Sequence, residues 1–336
     1  MRTDHSADDP KSAAPDEPPE SASPTESAPE GTRHPSATTD GLGDPDLTIR
    51  AIPQRHPFRR LAAVVIAVLI AAGLWSAITN PRYEWDVVAE WLTAETIVKG
   101  LLKTLELTAM AMAIGTLLGI VLAVMSGSRN RLVSGSATAY IWFFRGTPLL
   151  VQLIFWFNIS ALYPQISLGV PFGGPVFASF DANELITPMT AGLLGLALNE
   201  AAYMAEIVRA GIISVPPGQL QAATALGMTN LQTTRKIVLP QAMRVIVPPT
   251  GNQTISLLKT SSLVSVLAIP ELLYSSQIVY ARTFQTIPLL ITASIWYLLV
   301  TSILTVLQGF LERRFSPDAD RPDRRRTRLR LRKALT

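Results

Sequence analysis

Three polar side chains lie inside long apolar runs, and they are the residues of this chain best placed for chemistry. Asn199 and Glu200 are adjacent within one apolar run, and Lys259 lies within another. A charged side chain inside a membrane is energetically expensive and usually faces protein or a water-filled cavity. The chemistry open to such groups is electrostatic, since they can pair with each other or bind a charged group of a ligand.

Catalytic and metal-binding constellations are missing from the body of the sequence. His5, His34 and His56 are the only histidines, all within or beside the N-terminal tail, and there is no cysteine. No nucleophile with a neighbouring base is recognisable, and no G-x-x-x-x-G-K-[ST] motif for nucleotide binding occurs. The sequence therefore predicts a protein that is not an enzyme, binds no metal and carries no cofactor.

Residues 214–243 are too polar to span a membrane and too well capped for a linker. The pattern over 218–226 predicts a short helix, which Gly227 can end in a left-handed conformation. Thr229, followed three residues later by Gln232, matches a capping box for a second short helix. A thin, alanine-rich helix suits insertion into a groove of another protein, although an ordinary capped loop would explain the same pattern.

The composition identifies an integral membrane protein. Of the 336 residues, 48% are hydrophobic and 16% are charged, and the apolar residues are gathered into long runs. About 20 apolar residues suffice to cross the hydrocarbon core as a helix. The sequence predicts an all-α fold with six spans, at 61–79, 97–125, 134–159, 187–213, 245–269 and 288–311.

Several residues should shape these spans. Gly115 and Gly119 form a pair of small residues that lets another helix approach closely. Pro148 should break the third span beside Arg145, and the fifth span should be interrupted at 248–251, where two prolines and a glycine occur.

The distribution of arginine and lysine predicts the orientation. These residues flank each proposed internal loop, as is usual for the cytoplasmic side of a membrane. Both termini are therefore predicted to be cytoplasmic, in a multi-pass protein of the plasma (inner) membrane. The remaining connections, 80–96, 160–186 and 270–287, are predicted to be external segments.

The chain is expected to divide into four regions. The composition of residues 1–54 predicts a disordered, acidic, Pro/Ser-rich cytoplasmic tail. Residues 55–95 are predicted to form an extra N-terminal span with an external segment. A transmembrane domain follows at 96–312 and includes 214–243. The basic cytoplasmic tail, 313–336, either contacts anionic membrane lipid or serves only as a topology anchor. The net charge of +4 is explained by such arginines and indicates no nucleic acid partner.

The sequence around the capped segment resembles the membrane permease subunit of ABC importers, in the branch for polar amino acids. The resemblance runs over about 96–311. The residues that match the EAA coupling motif of this family are Gly218, Gln221, Ala222, Ala223, Gly227, Leu239 and Pro240. Further matches are the R-G-T-P-L-L-V-Q run at 145–152, A-Y-x-A-E-I-x-R-A-G at 202–211, P-Q-A at 240–242, Asn252, Lys259, Ser262 and Leu263.

The resemblance implies a type I ABC importer transmembrane fold, with a five-helix core plus one extra N-terminal span. It implies a pore subunit whose coupling segment docks on cytoplasmic ABC ATPase subunits, which hydrolyse the ATP. A periplasmic or extracellular solute-binding protein would deliver a polar or charged amino acid. The second half of the pathway would come from another copy of this chain or from a sister permease.

Two departures from the family pattern bear on the site. Gln221 stands where the motif has glutamate, and Thr260 stands where the family has aspartate after Lys259. One hypothesis is that Glu200 pairs with Lys259 and replaces that acid. Another is that Glu200 faces the translocation cavity and binds a substrate ammonium or guanidinium group, and a third is that it faces an aqueous vestibule.

Two other classes of protein remain open at this point. A proton-coupled secondary amino acid transporter would also have six or more spans and charges within the membrane, but it would not need a capped cytoplasmic helix pair. A structural membrane scaffold is also compatible with the spans alone.

Overall fold

The computed structural model describes residues 57–169 and 174–315. The predicted tail 1–54 and most of the basic tail 313–336 lie outside these residues. The chain divides into two units between Val64 and Val65, and the helical bundle belongs to the second unit.

Helices dominate the described part of the chain. The longer ones are α1 (Pro57–Thr79), α3 (Glu95–Ser126), α4 (Arg131–Gly146), α7 (Pro188–Ile213), α10 (Leu239–Thr260), α11 (Leu272–Thr283) and α12 (Thr286–Phe315). Shorter ones are α2 (Trp85–Leu92), α5 (Leu149–Phe157), α6 (Ala182–Leu185), α8 (Pro217–Ala225) and α9 (Asn230–Thr233). Single 3-10 turns occupy Pro81–Tyr83 and Ile159–Ala161, a longer 3-10 segment follows α10 at Ser261–Leu267, and a π-helical turn, Thr234–Val238, joins α9 to α10.

Four of these helices, α1, α3, α7 and α12, are each long and apolar enough to span a membrane. Two bent pairs raise the number to six if each pair is one span. The first pair is α4 with α5, which meet at 103°, and the second runs from Asn230 through Leu267 into α11 with a bend of 47°. The predicted break at Pro148 is confirmed, because it lies between α4 and α5.

Helix α7 lies at the centre of the bundle, in contact with α3, α4, α5 and α10. Its most extensive contact is with α3 and includes the two glycines that predicted a close approach. A Cβ atom on Gly115 would lie 2.7 Å from the side chain of Glu200, and one on Gly119 would lie 2.6 Å from that of Met204. The prediction for this glycine pair is confirmed, since no larger residue fits at either position.

A second packed region joins α3, α11 and α12 around a buried carboxylate. Glu271 is fully buried and caps α11 by accepting hydrogen bonds from the backbone N–H groups of Leu273 (3.0 Å) and Tyr274 (2.7 Å). It also accepts from the hydroxyl groups of Tyr297 at 3.1 Å and Thr104 at 3.4 Å. Because Thr104 belongs to α3 and Tyr297 to α12, this one side chain ties three helices together.

The connections predicted to be external segments are more ordered than expected. Residues 270–287 contain α11, in which Leu272, Ser275, Ser276 and Val279 are buried. Residues 160–186 contain an antiparallel hairpin of β1 (Gln165–Gly169) and β2 (Val176–Asp181), in which Ser167 pairs with Ser179. The all-α prediction therefore missed a short hairpin. Strand β1 alternates polar and apolar side chains, but β2 begins with three apolar residues in succession, so the pair gave no clear strand pattern.

The interruption predicted in the fifth span is wrong. Helix α10 runs without a break through Pro248 and Pro249. The carbonyl of Pro248, which lies in this stretch, accepts a hydrogen bond of 3.3 Å from the Gln308 side chain of α12. This hydrogen bond joins α10 to α12 beside the two prolines.

Candidate functional site

A cavity of about 420 Å³ opens between the α4–α5 break, the middle of α7 and the second half of α10. Charged and polar side chains line it, although the surrounding bundle is apolar. Its lining residues are Arg145, Gly146, Thr147, Pro148, Leu149, Asn199, Glu200, Tyr203, Gln253, Ser256, Leu257, Thr260 and Leu263.

Glu200 is the acidic group of this cavity. It lies near the middle of α7 and is only 2% exposed. Gln253 on α10 donates a hydrogen bond of 3.0 Å to its Oε2, while Oε1 is buried without a protein partner. A buried charge without a partner is costly, so this oxygen is the atom in the cavity most suited to bind a cation or a hydrogen-bond donor.

The predicted ion pair between Glu200 and Lys259 is not formed. Lys259 is exposed, and the ion pairs found among the described residues join other side chains. The reason is helical phase: Gln253 faces Glu200, and Lys259 lies six residues further along α10, about 240° around the helix axis. The two charged residues therefore point in different directions.

Arg145 is the basic group of the cavity, on the last turn of α4. Its guanidinium lies over the ring of Tyr203, with 5.4 Å between Cζ and the ring centroid, a distance typical of a cation–π interaction. Tyr203 is three residues after Glu200, so both side chains project from the same face of α7. The cavity thus presents an anionic and a cationic group in one space.

Asn199 also lines the cavity, but its amide is engaged with the protein. Its Nδ2 donates to the carbonyl oxygen of Phe144 at 2.9 Å and to Oε1 of Gln152 at 3.2 Å. Sequence reasoning identified Asn199 and Glu200, but did not identify Tyr203 and Gln253 as members of the site. The spacing of Tyr203 from Glu200, three residues along α7, could have identified it as a member of the site. Gln253 could not be identified in this way, because only the packing of α10 on α7 brings it near Glu200.

Two further charged residues of α7 lie three positions apart and contact each other. Glu206 and Arg209 form a hydrogen-bonded ion pair, with one contact of 3.0 Å between Arg209 Nε and Glu206 Oε2. Both side chains are partly exposed, and this pair lies outside the cavity lining.

The capped segment has the local structure that its sequence predicts. Helix α8 ends at a Schellman motif, in which Gly227 has φ +70° and the N–H of Met228 donates to the carbonyl of Ala223 at 3.1 Å. Thr229 and Gln232 form the predicted capping box. Leu239 and Pro240 begin α10.

Most of the residues that match the coupling motif are exposed in this chain. Ala223 is the exception, since it is 2% exposed. The others on the surface are Gly218, Gln221, Ala222, Gly227, Leu239 and Pro240. The segment is a rigid, capped element whose outer surface is available to another protein.

Comparison with known proteins agrees with this arrangement. Residues 115–317 match the family described as binding-protein-dependent transport system inner membrane component. The arginine transport system permease protein ArgU of Corynebacterium glutamicum is 46% identical over 277 residues, which cover 81% of this chain and 85% of that protein. The L-cystine transport system permease protein TcyB of Bacillus subtilis is 34% identical over 68% of this chain and 90% of its own length.

Among solved structures, this chain is similar to a crystal structure of an amino acid ABC transporter with histidines. The identity is 37%, the TM-score is 0.55, and the match covers 65% of this chain and 94% of the other. These relatives give no support to the proton-coupled secondary transporter that the spans alone allowed. The chain therefore belongs to the family of binding-protein-dependent transport system inner membrane components and is a multi-pass permease subunit of an ABC importer, in which a separate subunit hydrolyses ATP.

Proposed function

We propose that this permease carries a cationic amino acid through the cavity beside α7, with Glu200 as the group that binds the side-chain cation of the substrate. The observation that carries the proposal is the buried Oε1 of Glu200, which has no hydrogen-bond partner, on a residue that lines the cavity. An ammonium or guanidinium group would supply the missing hydrogen bond and charge together. The name of the arginine permease relative supports this choice of substrate class.

Arg145 is the proposed partner of the substrate α-carboxylate. A guanidinium matches a carboxylate in charge and geometry, because it can donate two parallel hydrogen bonds. Stacking on Tyr203 restricts the arginine side chain and thereby reduces the conformational entropy lost on binding. A cationic amino acid carries its carboxylate at one end and its side-chain cation at the other, so the two charged groups of the cavity fit its two ends.

The capped segment 214–243 is the proposed docking element for the cytoplasmic ATPase. Gln221 would contact the ATPase by hydrogen bonding rather than by charge, since it replaces the glutamate of the motif. Closure of two ATPase subunits would then move the segments of two permeases together. The bundle would switch between inward-facing and outward-facing packings, and transport follows because the two states differ in affinity for the substrate.

The remaining partners follow from the same proposal. Helix α7 separates the hairpin β1–β2 from the capped segment by its 26 residues, about 39 Å at 1.5 Å per residue. With the ATPase inside the cell, the hairpin and the solute-binding protein are on the outer side, and both termini are inside. The four predicted regions of the chain fit this orientation, with the arginines of 313–336 beside anionic membrane lipid.

The test is uptake by the permease reconstituted in proteoliposomes with its ATPase and binding protein. We expect ATP-dependent uptake of arginine, ornithine or lysine, and persistence of uptake when the proton gradient is collapsed. Glu200→Gln should raise the KM for these substrates by about tenfold to a hundredfold, the range expected for one hydrogen bond to a charged group.

Glu206→Gln is the matched control, because Glu206 lies on the same helix outside the cavity and pairs with Arg209. Uptake that prefers a neutral amino acid, or a Glu200→Gln variant with unchanged KM for cationic substrates, would contradict the proposal. The subunit composition of the purified complex will show whether the second permease is another copy of this chain or a sister permease.

A further inference from the structure

The break between α4 and α5 leaves one carbonyl group without its normal helical donor. In a continuous helix the carbonyl of Phe144 would accept from the N–H of residue 148. Residue 148 is proline, which has no N–H. The two helices meet at 103° across this point, so the carbonyl faces the interior of the bundle.

Two side-chain amides replace the missing donor. Gln152 Nε2 lies 3.0 Å from the Phe144 oxygen, and Asn199 Nδ2 lies 2.9 Å from the same atom. Gln152 Nε2 also donates to the carbonyl oxygen of Thr147 at 3.1 Å and contacts its hydroxyl at 2.7 Å. Gln152 is only 4% exposed, so these bonds form away from water, where leaving them unmade would be costly.

The two amides also bond to each other. Asn199 Nδ2 is 3.2 Å from Gln152 Oε1. The result is a closed bridge from α7 to both sides of the break, because Phe144 belongs to α4, Gln152 to α5 and Asn199 to α7. We refer to Phe144 O, Gln152 and Asn199 as the amide bridge.

The position of this bridge relates it to the charges of the cavity. Phe144 immediately precedes Arg145, and Asn199 immediately precedes Glu200. Asn199 therefore joins α7 directly to the backbone carbonyl that precedes Arg145, by a hydrogen bond of 2.9 Å, and Gln152 joins α5 to the same carbonyl at 3.0 Å. A change in these bonds would alter the separation of the two charges, which must match the length of the substrate.

We propose that Gln152 and Asn199 are positioning residues that hold the α4–α5 break and fix the separation of Arg145 and Glu200, and thereby set the length of the cationic amino acid that is transported. This rests on the proposed function of Arg145 and Glu200 in binding the two ends of the substrate. Asn199 then acts through the bridge and is not itself the group that recognises the substrate charge.

The functional test uses the complete transporter with a series of substrates that differ only in side-chain length: 2,4-diaminobutyrate, ornithine and lysine, with arginine as the longest cation. The variants Gln152→Leu and Asn199→Leu remove the donors without adding charge. We expect the parent to prefer one length by at least tenfold in kcat/KM. Each variant should reduce that preference to about threefold or less, chiefly through KM.

Asn158→Leu is the matched control, because Asn158 also donates its amide to a backbone carbonyl of α5, that of Ile154 at 2.8 Å, but lies outside the cavity lining. It should retain the length preference of the parent. A purely structural role would lower uptake of every substrate by the same factor, and an unchanged ratio between substrates in Gln152→Leu and Asn199→Leu would overturn the inference.

A second measurement does not depend on transport. The chain has no cysteine, so spin labels can be placed at Trp142 on α4 and Phe155 on α5, which are both exposed. The distance distribution between the labels should be narrow in the parent and broad or shifted in Gln152→Leu. An unchanged distribution would overturn the inference.

The two proposals fail in different ways. If Glu200→Gln leaves the uptake of cationic substrates unaffected, the proposed binding site is wrong, and the label distances still decide whether the bridge holds the break. If Glu200→Gln has the expected effect but the bridge variants keep both the length preference and the label distances, only the positioning role is wrong.

Discussion

Gln253 and Glu200 form a one-sided contact in the middle of the bundle. The Gln253 amide donates to Oε2 of the carboxylate at 3.0 Å, and Oε1 has no protein partner. The carboxylate is therefore held through one oxygen, and its other oxygen keeps an unused acceptor on a residue that lines the cavity. This arrangement suits a reversible cation site better than a permanent ion pair, which would compete with the substrate.

Replacing Gln253 by leucine should destabilise the ligand-free permease. The substitution keeps the approximate volume but removes the only protein donor found for the Glu200 carboxylate among the described residues. Loss of a buried hydrogen bond to a charged group costs about 1.5–3 kcal/mol. We expect thermal unfolding in detergent to occur several degrees lower than in the parent.

Gln241→Leu, on the same helix, provides the comparison. Gln241 donates to the neutral carbonyl of Ile237 at 3.0 Å, and a neutral bond of this kind is worth about 1 kcal/mol. Its unfolding temperature should fall less than that of Gln253→Leu. An equal fall in unfolding temperature in the two variants would show that the hydrogen bond from Gln253 to Glu200 stabilises the protein no more than a neutral one.

Gly115→Ala should disturb the packing of α3 on α7. A Cβ at this position would lie 2.7 Å from both Cβ and Cγ of Glu200 and 3.2 Å from the carbonyl oxygen of Ala197. Neither neighbour is the free end of a flexible side chain, so the helices must separate or Glu200 must change rotamer. Overpacking of this kind costs about 1–3 kcal/mol, and we expect a lower unfolding temperature together with a raised KM for cationic substrates.

Gly135→Ala is the control for this substitution. Gly135 is also inside a helix, but a Cβ there would meet nothing within 4 Å. Alanine is the better helix former by about 1 kcal/mol, so this variant should be as stable as the parent or more stable. If Gly115→Ala behaves in the same way, α3 and α7 are not in the close contact seen here.

Gly227→Ala should weaken the coupling of transport to ATP hydrolysis. Gly227 has φ +70° at the end of α8, and an alanine in this left-handed conformation costs about 1–2 kcal/mol. The turn between α8 and α9 should therefore lose its defined geometry. In the reconstituted complex we expect the stimulation of ATPase activity by the loaded binding protein to fall severalfold.

Gly309→Ala in α12 tests whether any alanine in place of glycine has this effect, because a Cβ there meets nothing within 4 Å. It should leave the stimulation intact. Normal stimulation in Gly227→Ala, with the permease correctly assembled, would contradict the role proposed for the segment.

Glu271→Gln should destabilise the bundle more than Tyr297→Phe. Glu271 accepts four hydrogen bonds, two of them from backbone N–H groups, and an amide NH₂ group in place of one oxygen would face a donor. The tyrosine variant removes only one of the four donors. We expect losses of about 2–3 kcal/mol and about 1 kcal/mol respectively, measured by thermal unfolding, and the reverse order would contradict this description of the network.

The sequence alone determined the features that depend on neighbours along the chain. Apolar runs predicted the membrane helices because crossing a bilayer needs a minimum length of apolar helix. Gly227 and the Thr229–Gln232 capping box were recognisable because both motifs are completed within a few residues. The break at Pro148 was predictable for the same reason, since the missing donor is a property of the residue itself.

Only the tertiary structure decided which polar groups meet. The expected Glu200–Lys259 pair rested on charge alone, whereas helical phase and the packing of α10 on α7 bring Gln253 to Glu200 instead. The local pattern also failed to predict the continuity of α10 through Pro248 and Pro249. Contacts between helices distant in the sequence are fixed by how their surfaces pack, and that information is not contained in the local pattern of either helix.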